Sequence, residues 1–261
     1  MRFYKIFESK YFNPQYAKVV NLIIDIGNTL FKIGILHKNE IIEQYTWDHF
    51  SIQQLESIRS KFSNLNKVII SSVRDYPEEI VKYLEKEFQT CICLDSTTPI
   101  PLENLYESKE TLGYDRIAAC VGANFIYPNC NLLVIDAGTA ITFDFVTETN
   151  QYLGGTISPG LAMRFKALHE FTGKLPLLEK DENYHIIGKN TKDAIVSGVQ
   201  NGILFEVDEY INQLKLKYPN FKVILTGGDS IFFDKKLKNT IFVHPKILLT
   251  GLNRILNYNA K

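Results

Sequence analysis

The sequence predicts an α/β protein built from two halves of one plan, and three observations carry that prediction. Residues 21–36, NLIIDIGNTLFKIGIL, read as a buried strand, a tight turn and a second strand with alternating apolar residues. Residues 132–146, LLVIDAGTAITFDFV, repeat the plan, with Asp136 and Gly138 falling on Asp25 and Gly27 without a gap. Behind each hairpin, apolar segments alternate between strand and helix periodicity, the mark of an α/β layer arrangement.

The elements follow in order. After the first hairpin, residues 40–47 read as a third strand completing a meander. Ile52, Leu55, Ile58 and Phe62 recur at helical spacing, which predicts a helix over 51–63. KVIISS, residues 67–72, is a short buried strand. Asp75, Pro77 and Glu78 form a helix start, and Ile80, Val81, Leu84 and Phe88 supply that helix's apolar face. Residues 90–95 are the next strand, and a helix around 116–126 joins the halves. The second half repeats the order: a meander from 132 to about 157, a long helical stretch, a strand at 221–226 and a closing helix at 247–258. Ile195, Val199, Ile203, Val207, Ile211 and Leu214 predict one long helix over 191–217.

Bulk properties narrow the function classes. At 261 residues the chain can bury one large core or two moderate ones. Its formal net charge is zero, which gives no electrostatic case for nucleic acid or a membrane surface as the main partner. No apolar run approaches the roughly 20 residues that span a bilayer. Cys91, Cys93, Cys120 and Cys130 lack the density of a disulfide framework and the CxxC spacing of a zinc site, so they read as reduced thiols of a cytoplasmic protein. Residues 2–20 are rich in Tyr, Phe and Lys without the apolar core of a secretory signal. They admit three readings: an ordered arm, a disordered tail, or a stretch upstream of a true start near Val20.

An acidic residue at the end of a buried strand, followed by a small-residue turn, suits a metal–phosphate group. The carboxylate faces the cation while turn amides and hydroxyls face phosphate oxygens. Either hairpin alone is equally an ordinary one, with Asp25 and Asn28 as turn residues. Two copies make a more specific signal, a nucleotide held between two facing turns. In LGYDR, residues 112–116, Asp115 can be a helix N-cap or a general base, and Arg116 an anion clamp. GGTISPG, residues 154–160, either lets a ligand approach the backbone or turns the chain. LTGGDS, residues 225–230, resembles an adenine-side loop, and a strand-to-helix turn explains it equally well. The five histidines show no HxH or HxxxH pairing, and there is no GxSxG, Walker or dinucleotide fingerprint. Phosphoryl transfer using acidic residues and two turns is the best chemical fit.

DIGNTLFK, LGYDR, DAGTAITFD and GGTISPG, in this order, resemble the motif set of type III pantothenate kinases, members of the actin, sugar-kinase and heat-shock-chaperone superfamily. The likeness covers residues 21–258. It implies two duplicated RNase H-like (actin-like ATPase) domains with an active-site cleft between them: 21–124 and 125–261, after an N-terminal extension at 1–20. The implied reaction is ATP-dependent phosphorylation of pantothenate to 4'-phosphopantothenate, the first step of coenzyme A biosynthesis. Asp25, Ile26, Gly27, Asn28, Thr29, Leu30, Phe31 and Lys32 would form the ATP phosphate loop, with Asp25 placing Mg2+ through the phosphates. Asp115 would take the proton of the pantothenate hydroxyl, with Gly113, Tyr114 and Arg116 lining that site. Tyr106 and Thr191 are similar to residues that contact pantothenate in the family. Asp136 would bind a monovalent cation, K+ or NH4+, and Thr139 the ATP phosphates. A cytoplasmic homodimer is implied, with neither nucleic acid nor membrane as partner. Lys109 departs from the family pattern, which commonly has proline there, and so bears on the loop that carries Tyr106.

Two other readings compete. A different small-molecule kinase or phosphohydrolase on the same fold would lack the LGYDR match. A nucleotide-binding regulator, the role first noted for some relatives, predicts a damaged aspartate set or a basic surface, and the sequence shows neither.

Overall fold

The computed structural model describes residues 20–260, so the expected N-terminal extension lies outside the described residues except for Val20. The chain begins with the meander β1 (Val20–Ile26), β2 (Phe31–His37) and β3 (Glu40–Trp47). It continues through α1 (Ile52–Lys61), β4 (Leu65–Ser72), α2 (Glu78–Glu87), β5 (Thr90–Cys93), the two-residue β6 (Glu103–Asn104) and α3 (Tyr114–Ile126). A second meander follows, β7 (Asn131–Ala137), β8 (Ala140–Val146) and β9 (Gln151–Pro159). Then come α4 (Leu161–Glu170), α5 (Thr191–Lys217), β10 (Phe221–Thr226), α6 (Ser230–Asp234), β11 (Phe242–Val243) and α7 (Ile247–Asn259).

The chain divides after Ile126. Tyr127–Lys246 is the second compact unit, and the closing segment from Ile247 returns to the first. The sequence places that closing helix with the second half, and its packing is the reason for the difference. Helix α7 lies along α3, where a Cβ on Gly251 would fall 1.7 Å from the Ala118 carbonyl oxygen and one on Gly122 2.2 Å from that of Ile247. Only glycine permits backbones to approach this closely.

In the first unit the strand order is β3-β2-β1-β4-β5, antiparallel through the meander and parallel from β1 to β4 to β5. Strand alternation gives each face its own chemistry. Leu22, Ile24 and Ile26, with Ile33, Ile35, Val68 and Ile70, pack on Leu55 and Ile58 of α1 and Ile80 and Leu84 of α2. Burial of each such side chain contributes about 1.5–3 kcal/mol. The opposite face meets α7. There Gly34 lies under Leu249, and buried Asn21 donates to Asn253 Oδ1 at 2.7 Å and Asn257 Oδ1 at 3.0 Å. Helix α1 starts where expected, with Gln54 Oε1 accepting the Ser51 N–H at 2.8 Å. The Asp75 start is corrected: α2 begins at Glu78 with Pro77 before it, so Asp75 stands outside the helix.

In the second unit the strands run in the order β11-β10-β7-β8-β9. Leu133, Ile135, Phe143 and Phe145 bury against Leu161 and Phe165 of α4 and Val199, Ile203 and Val207 of α5. Helix α5 has the bounds its periodicity predicts and is capped by Asn190, whose side chain accepts the Asp193 N–H at 2.9 Å. Ahead of it the structure adds a shorter helix, α4, which ends at Glu170, and residues 171–190 contain no helix or strand. Gly154 and Gly155, read as a loop, lie within β9.

Candidate active site

The two hairpins end their first strands on a carboxylate, as the repeat predicts, yet their turns differ in length. Asp25 pairs with Lys32 and Ile26 with Phe31, leaving residues 27–30 as the turn. Asp136 pairs with Thr142 and Ala137 with Ile141, leaving only 138–140. The gapless superposition therefore holds through the glycines and slips by one residue beyond them. The first turn is closed by the Gly27 N–H donating to the Leu30 carbonyl at 3.0 Å, the second by the Gly138 N–H to the Ala140 carbonyl at 3.1 Å.

In the first unit Asp25 is buried, with 3 % of its surface exposed, on the face of β1 opposite the α1/α2 core. Lys32 shares that face from β2 and Ser71 from β4, each directly paired with Asp25. The Val73 N–H donates to the Ile26 carbonyl at 3.1 Å, so the exit of β4 is tied to the entry of the turn. Sequence reasoning had no role for this exit; its one signal was a pair of serines ending an otherwise apolar strand.

Farther along the same unit, Asp115 lies in the first turn of α3, which begins at Tyr114. This corrects the N-cap alternative, since a cap residue precedes the helix. The Asp115 carboxylate accepts the Arg116 N–H at 2.8 Å and occupies space that a Cβ on Gly113 would take, 2.6 Å from Oδ1. A glycine here lets the carboxylate fold back over the helix start, within reach of its first amides. Arg116 is buried, with its guanidinium 5.6 Å from the Tyr106 ring centre. The structure thus brings Tyr106, Gly113, Asp115 and Arg116 together.

Lys109 opens a 3-10 turn, Lys109–Thr111, and lines a cavity of about 200 Å³ with Asn104, Leu112 and Tyr114. Side chains anchor the loop on both sides of that lysine. The Tyr106 N–H donates to Asn104 Oδ1 at 3.0 Å, and the Thr111 hydroxyl donates to the Ser108 carbonyl at 3.0 Å.

In the second unit, Asp136 ends β7 beside the 138–140 turn. Gly227, with φ +94°, closes over it: a Cβ there would fall 2.5 Å from Asp136 Oδ1 and 2.4 Å from the Ala137 carbonyl oxygen. The Asp229 N–H donates to that same carbonyl at 2.9 Å, and Lys180 pairs with the Asp229 carboxylate at 2.7 Å. LTGGDS is thereby a strand-to-helix turn that packs on the Asp136 strand end. Thr139 is held by its backbone, the Gly160 N–H donating to its carbonyl at 3.1 Å. Thr191 is the exposed first residue of α5.

Two α/β units, each with a strand-end carboxylate beside a small-residue turn, give the chain the actin-like fold. The family model described as type III pantothenate kinase matches residues 21–213. A Bacteroides fragilis type III pantothenate kinase is 48 % identical over 92 % of this chain and 98 % of its own length. Among solved structures, a Campylobacter jejuni protein described as a Baf family transcriptional activator aligns with a TM-score of 0.58 and 24 % identity, over 91 % of this chain and 98 % of that one. The inorganic polyphosphate/ATP-glucomannokinase of an Arthrobacter species aligns with a TM-score of 0.52 and 14 % identity, over 92 % and 99 %. These two show the fold alone.

The chain belongs to the type III pantothenate kinase family. Its reaction is the phosphorylation of pantothenate, the first step of coenzyme A biosynthesis, with ATP as donor and a divalent metal ion as helper. No helix among the described residues is long and apolar enough to cross a membrane.

Proposed function

We propose that Asp115 is the proton acceptor for the primary hydroxyl of pantothenate, and that the two carboxylate-ended hairpins serve the nucleotide. The observation carrying this reading is the placement of the Asp115 carboxylate over the start of α3, in the space Gly113 leaves, beside Arg116 and Tyr106. Product forms as the hydroxyl oxygen bonds the γ-phosphorus, the bond to ADP breaks and the proton passes to Asp115. Arg116 offers a guanidinium to the pantothenate carboxylate, with Tyr106, Gly113, Tyr114 and Thr191 shaping that pocket. The turn from Asp25 to Lys32, including Ile26, Asn28, Thr29, Leu30 and Phe31, presents amides and the Lys32 ammonium to the ATP phosphates. Thr139 does the same from the second hairpin.

The divalent ion in this reading is Mg2+, which would neutralise charge on the ATP phosphates. Asp25 fits it: a carboxylate at the edge of an amide-lined turn that shares its strand face with Lys32. Asp136 fits a monovalent cation, K+ or NH4+. It has a carboxylate oxygen in a cradle where glycine at 227 keeps side-chain carbon away.

A cytoplasmic homodimer completes the proposal. Met163 on α4 and Phe205 on α5 are 44 % and 54 % exposed, apolar side chains available to a second copy of the chain.

The test is ADP release from purified protein with pantothenate and MgATP, first in potassium and then in sodium. Pantothenate-dependent release that falls in sodium supports both assignments. Release indifferent to the cation removes the Asp136 site, and no release with ATP still bound removes the pantothenate reading.

A further inference from the structure

Strand β4 runs Val68, Ile69, Ile70 and then Ser71, and Ser71 is fully buried, with 0 % of its surface exposed. Its hydroxyl has no hydrogen-bond partner. Buried hydroxyls nearly always have one, because leaving the group without water or an acceptor costs stability. Alanine or valine would fill this position without that cost. The next residue shows the usual solution: Ser72 Oγ donates to the Arg74 carbonyl and accepts the Arg74 N–H at 3.2 Å. Ser71 has no such local arrangement.

The register explains where the hydroxyl is aimed. Ser71 is the direct parallel partner of Asp25, so the two side chains leave neighbouring strands on the same face. Lys32 flanks Asp25 from the other side. The Val73 N–H bond to the Ile26 carbonyl fixes the end of β4 against the start of the turn. A donor held beside a carboxylate, at a stability cost, is the arrangement expected where a side chain is kept for the ligand-bound state.

We propose that Ser71 is a positioning residue for Asp25. When the metal–nucleotide complex binds, the Ser71 hydroxyl donates to the Asp25 carboxylate and fixes which of its oxygens faces the cation side of the phosphates. This rests on the reading of Asp25 as the residue that places Mg2+. The hydroxyl acts through Asp25 and touches neither phosphate nor substrate.

The test uses full-length protein and the variants Ser71→Ala and Ser71→Thr. Three readouts are taken: thermal midpoint without ligand, ATP affinity by calorimetry with Mg2+ and with EDTA, and steady-state kinetics. The expected result for Ser71→Ala is a midpoint equal to or above wild type, because an unpartnered buried hydroxyl is removed. ATP affinity in EDTA stays unchanged, while the gain on adding Mg2+ shrinks by about tenfold, the scale of one hydrogen bond to a charged group. The value of kcat/KM for MgATP falls by a similar factor, and Ser71→Thr, which keeps the hydroxyl, retains most of the Mg2+ gain. A lower midpoint with a wild-type response to Mg2+ makes the hydroxyl structural and overturns the inference alone. Wild-type ATP binding that is indifferent to Mg2+ overturns the Asp25 reading and the inference with it.

Discussion

Lys32 stands directly opposite Asp25 across the β1–β2 pair, so a cation and a carboxylate share one sheet face at the edge of the turn. The equivalent place beside Asp136 is taken by Thr142, because the second turn is one residue shorter. The duplicated hairpins have therefore diverged in charge. In the proposed reading the first carries its own counter-ion for phosphate, while the second pairs its carboxylate with a neutral neighbour, Thr142.

Lys32→Met should weaken ATP binding by about tenfold or more, since a phosphate loses a charged donor. Lys32→Arg should recover part of the loss. Calorimetry with MgATP reads both, and an unchanged affinity in Lys32→Met would remove this lysine from the phosphate site.

Gly227→Ala should damage the Asp136 site locally. The added Cβ meets the Asp136 carboxylate and the Ala137 carbonyl at a backbone angle that L side chains rarely adopt. The cost is about 1–3 kcal/mol in stability. Potassium titration of the activity should show a weakened response, whereas a normal potassium response would separate Gly227 from the cation site.

Asn253→Ala should lower stability without touching the chemistry. Asn253 accepts from Asn21 at 2.7 Å and donates to the Lys38 carbonyl at 2.7 Å, inside the packing of α7 on β1. Leaving these buried groups short of a partner costs about 1–3 kcal/mol, a fall of several degrees in thermal midpoint. Wild-type KM values at low temperature with a reduced midpoint would fit this structural role.

His244 should make stability fall on mild acidification. Burial pushes its ring below the ordinary value of 6.5, and its Nε2 lies 2.8 Å from the Tyr127 hydroxyl. The unfolded chain then binds the proton more readily than the folded one. The contribution of His244 is present above the unfolded value and is lost as pH falls through the depressed folded one. Thermal midpoints of wild type and His244→Gln between about pH 7.5 and 5, an interval around the ordinary imidazole value, check this, and the variant should show the shallower slope.

The sequence made much of this molecule legible, for reasons that are local. The bounds of α5 follow from apolar residues at helical spacing on one face, and both hairpins follow from strand alternation around a glycine turn. What it hid depends on partners. The apolar face of α7 is visible in its pattern, but the pattern does not say which sheet it covers. That is decided by the contact of Gly251 with α3 and by Asn253 meeting Asn21 on β1. The one-residue difference between the turns is invisible to an alignment that matches Asp and Gly, because both turns close with a glycine amide. From its position Asp115 read as a cap ahead of a base, and only the start of α3 at Tyr114 separates the two positions. Ser71 carried almost no signal, since its meaning lies in the register with Asp25.

The central claim is the proton-accepting role of Asp115, and single-turnover phosphorylation of pantothenate by Asp115→Asn tests it most directly, with ATP affinity measured in parallel. The account predicts a rate at least about 100-fold below wild type, the contribution of a general base, with ATP affinity unchanged. A rate within a few-fold of wild type, or equal losses of rate and ATP affinity, would contradict it.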